Sequence, residues 1–75
     1  MRLTVLDDDP GTRINPSQER YTVYLDGFEV KHVFTADDEK GLIIAAVTDE
    51  RGYMTWENGE VKRQTLHGTV TIKRQ

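Results

Sequence analysis

The sequence predicts an all-β fold: a single small antiparallel domain of about six or seven short strands, arranged as a partly open barrel or a two-layer sandwich. Three observations predict it. Apolar residues recur in short runs that alternate with polar ones, the period of a half-buried strand. Two dipeptides suited to tight hairpin turns, Asp26-Gly27 and Asn58-Gly59, each lie between runs of β-formers. No segment keeps helical periodicity over the roughly 12 residues that a stable helix needs.

Residues 2–6 open the chain as a strand, with Leu3 and Val5 alternating with Arg2 and Thr4. Asp7-Asp8-Asp9-Pro10-Gly11 ends it, because adjacent carboxylates repel and Pro-Gly is turn punctuation. Residues 7–19 hold both prolines and one aliphatic side chain, Ile14, and are expected to form a long polar loop.

A hairpin follows at 21–33. Tyr21, Val23 and Leu25 share one face of its first strand, and Thr22 and Tyr24 share the other. The expected core face carries Val23, Leu25, Phe28 and Val30, which leaves Tyr24, Glu29 and Lys31 as an exposed strip. Residues 34–41, FTADDEKG, have Thr35 and Asp38 at capping spacing and Gly41 at the end. They are expected to form at most one helical turn near 36–40, or a compact loop.

Leu42 to Val47, LIIAAV, is the most apolar run and is expected to be buried on both faces or central in the sheet. Asp49-Glu50-Arg51-Gly52 reads as a turn, Tyr53 to Trp56 as strand, and Asn58-Gly59 as a second tight hairpin. Two last strands are expected at 61–66 and 69–73, broken at His67-Gly68.

Seventy-five residues make one domain, expected to span 1–75. A chain this short buries roughly 60% of its unfolded surface, which leaves little room for a deep internal site. The formal net charge of −3 argues against a general nucleic-acid binder. With no cysteine there is no disulfide, no thiolate metal ligand and no Cys nucleophile. No run approaches the length of a membrane span, and the start MRLTVLDDD has no signal-peptide core, so secretion by its own signal and membrane insertion are not expected.

Candidate chemistry is sparse. Asp7, Asp8 and Asp9 have carboxylates for a divalent cation, but consecutive side chains diverge and the spacing is not that of an EF-hand, so a solvated acidic loop is the plainer reading. Asp37, Asp38 and Glu39 read as acids at a helix start. His32 and His67 are the only histidines, and Ser17 is the only serine and has no nucleophile-elbow context. No catalytic, metal or cofactor residues are expected. Aromatics with Lys62, Arg63, Lys73 and Arg74 suggest an alternative, a small barrel of the OB or SH3 kind that binds single-stranded nucleic acid, but the acidic balance disfavours it. Tyr, Trp and Arg anchor protein interfaces. Tyr53 and Trp56, with the strip of Tyr24, Glu29 and Lys31, are therefore the expected partner-contact residues.

VYLDGFEV, TADDEKG before an apolar strand, VTDERG and a final HGTVTIKR resemble small all-β proteins encoded by tailed phages and prophages. The resemblance spans 21–73 and rests on Tyr24, Leu25, Asp26, Gly27, Asp37, Asp38, Gly41 and Gly68. It implies a non-enzymatic structural or accessory role through protein–protein contact, with itself or with phage particle proteins. It also implies a place in the cytoplasm of a bacterial host or on the virion, and it brings no catalytic residues.

Overall fold

The computed structural model describes residues 1–6, 8–15 and 18–75. The described residues form ten short strands and no helix: β1 (Arg2–Thr4), β2 (Thr12–Arg13), β3 (Tyr21–Leu25), β4 (Phe28–Val30), β5 (Val33–Asp37), β6 (Leu42–Ala46), β7 (Trp56–Glu57), β8 (Glu60–Val61), β9 (Arg63–His67) and β10 (Val70–Arg74). They make three sheets, ordered β2-β1-β5-β6-β9, β10-β3-β4 and β7-β8, and none closes into a barrel.

The all-β expectation holds, and the strand number is higher than expected. The extra strands are β2, β5 and the one gained where the strand expected at 61–66 divides. β2 pairs with β1 inside the stretch expected to be loop, and it does so in parallel, so the sheet is not wholly antiparallel. The strand expected at 61–66 is two, because Lys62 leaves the ladder: its N–H donates to the Thr55 carbonyl and its own carbonyl accepts from Val47.

Both hairpin dipeptides do what their residue types predict. Asp26 and Gly27 have φ of 52° and 87°, and Asn58 and Gly59 have 54° and 80°. Two successive left-handed residues match the twist of the flanking strands, and Asp, Asn and Gly tolerate that region best. β3 and β4 pair in the register Val23↔Val30, Tyr24↔Glu29 and Leu25↔Phe28.

Residues expected at a helix start are strand instead. β5 runs through Asp37, and the compact-loop reading applies only to 38–41. Thr35 caps no helix and is fully buried in the sheet. The Asp37 carboxylate accepts the N–H groups of Glu39 (3.0 Å) and Lys40 (2.9 Å), so the acid closes a β-turn where a helix cap was expected.

β6 is central, between β5 and β9, as its apolar run predicts. Ile43, Ala45 and Ala46 are buried. One core joins the two larger sheets: Ala36, Ile43 and Ala45 from the first meet Val23 and Val70 from the second, with Leu25, Val30, Val33, Leu66 and Ile72 around them. Phe28 is the exception to the expected core face. It alternates in register with Leu25 and Val30, yet it is 77% exposed, at the hairpin tip next to the Asp26-Gly27 turn and outside the core cluster.

Candidate functional site

Residues 47–62 leave the main sheet between β6 and β9 as a ribbon held by its backbone. At its root the Val47 N–H donates to the Lys62 carbonyl (2.8 Å), and the Thr55 N–H and hydroxyl both donate to the Val47 carbonyl (2.9 Å each). Further out, Thr48 bridges Met54. The Asp49 carboxylate accepts the N–H groups of Arg51 (2.9 Å) and Tyr53 (3.0 Å), which folds the turn that ends in Gly52. β7 and β8 close the tip through Trp56↔Val61 and Glu57↔Glu60.

This ordered backbone presents large apolar side chains to water. Tyr53 is 68% exposed, Trp56 67% and Met54 40%. Leaving an indole, a phenol and a thioether out of a core this small forgoes stabilisation, since each carries a large apolar area. Acids flank them at Asp49, Glu50, Glu57 and Glu60, against the two cations Arg51 and Lys62.

The expected strip starts on the three-stranded sheet. Tyr24 and Glu29 are cross-strand partners on the outer side of the β10-β3-β4 sheet, and Lys31 follows the end of β4. Tyr24 is half-buried, and the Lys73 ammonium sits 5.5 Å from its ring centroid, a cation–π contact that already uses one face of the ring. Glu29 and Lys31 are exposed. No sheet holds both this strip and the Tyr53–Trp56 pair, but Glu29 and Lys31 line one pocket together with Thr48 and Gly52 of the ribbon, so the strip borders the ribbon's base.

A cleft of about 400 Å³ opens between the β1–β5 side of one sheet and β3–β4 of the other. Leu3, Val5, Ile14, Val30 and Phe34 are among its apolar walls. Arg20, Lys31 and His32 reach it along with Glu19 and Glu29, and Arg20 and Lys31 form no ion pair among the described residues. Sequence patterning marks which side chains face inward but not how far two sheets diverge, so nothing in the sequence announced this cleft.

Nor did the sequence announce the buried ion cluster. Arg2 Nε and Nη2 donate to the two oxygens of Asp9, and Nη1 reaches Asp37 at 3.4 Å. The Asp9 side chain is only 4% exposed, so Asp9 is not part of a solvated acidic loop. The Arg2 guanidinium, helped by the Gly11 N–H and the Thr35 hydroxyl, holds the Asp9 carboxyl far below the usual range. Asp37 is lowered chiefly by the Lys40 N–H, then by the Glu39 N–H and Arg2. Asp8 is exposed, and Asp7 and Ser17 lie outside the described residues. His32 has φ of 58° where the chain passes between sheets, and His67 pairs with Leu42 in β9. Among the described residues no group of three or more His, Asp or Glu is placed to hold a metal ion.

Comparison with protein-family models, curated proteins and solved structures finds no match to this chain.

Proposed function

We propose that the protein is a non-enzymatic binding module that works through protein–protein contact, as a structural or accessory component of a tailed phage or prophage. One observation supports contact above all: a ribbon whose backbone is fully organised holds Tyr53, Met54 and Trp56 in solvent. Aromatics on an ordered backbone lose little conformational freedom on binding, which is why such residues anchor interfaces. The phage setting rests on the sequence resemblance over 21–73.

A photo-crosslinking amino acid in place of Tyr53, in cells that produce the protein, tests the contact. The expected result is a discrete protein adduct that disappears when the label is moved to exposed Lys40, in the turn at the other end of β6. Labelling at Tyr53 that yields no protein adduct overturns the reading.

A further inference from the structure

We infer that Asn58 is a self-modification site: it loses its amide by cyclisation onto the Gly59 backbone, through an opening of the ribbon tip that leaves the rest of the chain folded. Nothing in this depends on what the ribbon contacts.

Residue types confine the chemistry to one place. An asparagine loses its amide when the backbone nitrogen of the next residue gives up its proton and attacks the side-chain carbonyl carbon. The asparagines of this chain are Asn15 and Asn58. Asn15 precedes Pro16, whose nitrogen has no hydrogen to give up. Asn58 precedes Gly59, which has no Cβ to shield its nitrogen. The Gly59 nitrogen bonds to Asn58 Cγ, the Cγ–Nδ2 bond breaks, and Nδ2 leaves as ammonia with the proton that Gly59 gave up. Water then opens the cyclic imide at either carbonyl. The product is aspartate, or isoaspartate, in which the backbone runs through the former side chain. Nothing is oxidised or reduced.

Asp26-Gly27 is the comparison. Its φ values, 52° and 87°, match the 54° and 80° of Asn58-Gly59, and Asp26 can close the same imide by losing water. That turn is locked. The Asp26 N–H donates to the Thr69 carbonyl and its Oδ1 accepts the Thr69 N–H, both at 2.9 Å. Its strand, β3, lies between β10 and β4. Asn58 has no such hold, since its side chain makes no hydrogen bond among the described residues. β7 and β8 pair with each other alone, over two residues each. One of those pairs sets Glu57 opposite Glu60, and like charges directly opposite weaken a ladder. A two-stranded ribbon this short is marginal in water, so its tip opens without unfolding the sheets. Opening releases the turn and lets the side-chain carbonyl meet the Gly59 nitrogen. Modification adds a negative charge between Glu57 and Glu60, and isoaspartate lengthens the backbone that sets the Trp56↔Val61 pairing.

Peptide mapping by mass spectrometry, during long incubation of the full chain in neutral buffer, tests the inference, with the same chain unfolded in guanidinium as the reference. The Asn58 product is expected to form in the folded chain within about tenfold of its rate in the unfolded chain, as for a low-lying local opening. Reaction through global unfolding would slow it by about a thousandfold or more. Asp26 is expected to show that larger slowing against its own unfolded rate. Glu57→Lys puts opposite charges across the tip and is expected to slow Asn58 by a further factor of about two to five, again against the unfolded rate. Equal slowing at Asn58 and Asp26 overturns the inference, and so does a folded-to-unfolded ratio that Glu57→Lys leaves unchanged.

Discussion

Arg2 and Asp9 form a two-pronged ion pair, Nε to Oδ1 and Nη2 to Oδ2, both at 2.9 Å. The planar guanidinium matches the carboxylate, so both bonds are well directed. Asp9 reaches further: its Oδ2 also accepts the hydroxyl of Thr35 at 3.1 Å, and its Oδ1 accepts the Gly11 N–H at 2.8 Å. One acid thereby ties the loop after β1 to both β1 and β5.

Asp9→Asn is expected to cost about 2 kcal/mol, because it leaves a mostly buried guanidinium with only its longer contact to Asp37. Its exposed neighbour is the control: Asp8→Asn is expected to stay within about 0.5 kcal/mol. Urea midpoints of the two variants decide it, and equal effects would show that the pair contributes nothing.

The same pair sets the acid response. Asp9 and Asp37 are both held below the ordinary carboxylate value, near 3.9 in an unfolded chain. Below that pH the unfolded chain binds protons that the folded chain does not. Their contribution is therefore complete above about pH 4–5 and is lost as the pH falls toward the folded values. Thermal melts from neutral to acid pH are expected to show a plateau and then a decline. Asp9→Asn is expected to flatten the decline, and an unchanged slope in that variant would contradict the assignment.

Thr35 lies between two partners with one proton to give. It donates to Asp9, so the 2.8 Å contact with Thr4 is supplied by the Thr4 hydroxyl, whose oxygen accepts the Leu6 N–H. Thr35→Val keeps the shape and removes the relay. A loss of about 1–3 kcal/mol is expected, the cost of unsatisfied buried groups. Thr35→Ser, which keeps the hydroxyl, is expected to lose less, and chemical denaturation that ranks the two the other way would exclude the relay.

What was legible in the sequence was local. Asp26-Gly27 and Asn58-Gly59 are visible because left-handed backbone selects residue types at the turn itself. β6 is visible because a central strand needs an unbroken apolar run. β2 was not, since its pairing with β1 rather than propensity makes it. Thr35 and Asp38 carry a genuine capping signal, and tertiary pairing of β5 with β1 and β6 overrides it. Asp9 is indistinguishable from Asp8 in sequence, because its partners lie 7 and 26 residues away. The ribbon aromatics were legible as candidates, whereas the placing of Glu29 and Lys31 beside the ribbon's base depends on tertiary packing.

Gly41 separates conformational strain from collision. Gly41 and Gly27 both have positive φ, 65° and 87°, so alanine is strained at either. A Cβ at Gly27 meets nothing within 4 Å, whereas at Gly41 it runs into the Gly68 carbonyl. That contact is backbone on both sides, and the Gly68 N–H donates to the Gly41 carbonyl at 3.0 Å. Gly27→Ala is expected to cost about 1 kcal/mol and Gly41→Ala clearly more, about 2–4 kcal/mol. Melting temperatures of the two variants make the comparison, and equal losses would mean that the corner yields freely.

Phe28 and Ile43 test where the core ends. Alternation along β4 assigns Phe28 to the inward side, but at the hairpin tip the ring stays exposed. Ile43, fully buried on the central strand, touches both sheets' contributions to the core. Ile43→Ala is expected to cost about 3–4 kcal/mol, through lost burial and the cavity left behind. Phe28→Ala is expected to change stability by less than about 0.5 kcal/mol, as at other exposed positions. Denaturant unfolding of both variants gives the comparison. A loss at Phe28 approaching that at Ile43 would mean that in solution the ring folds back over the core.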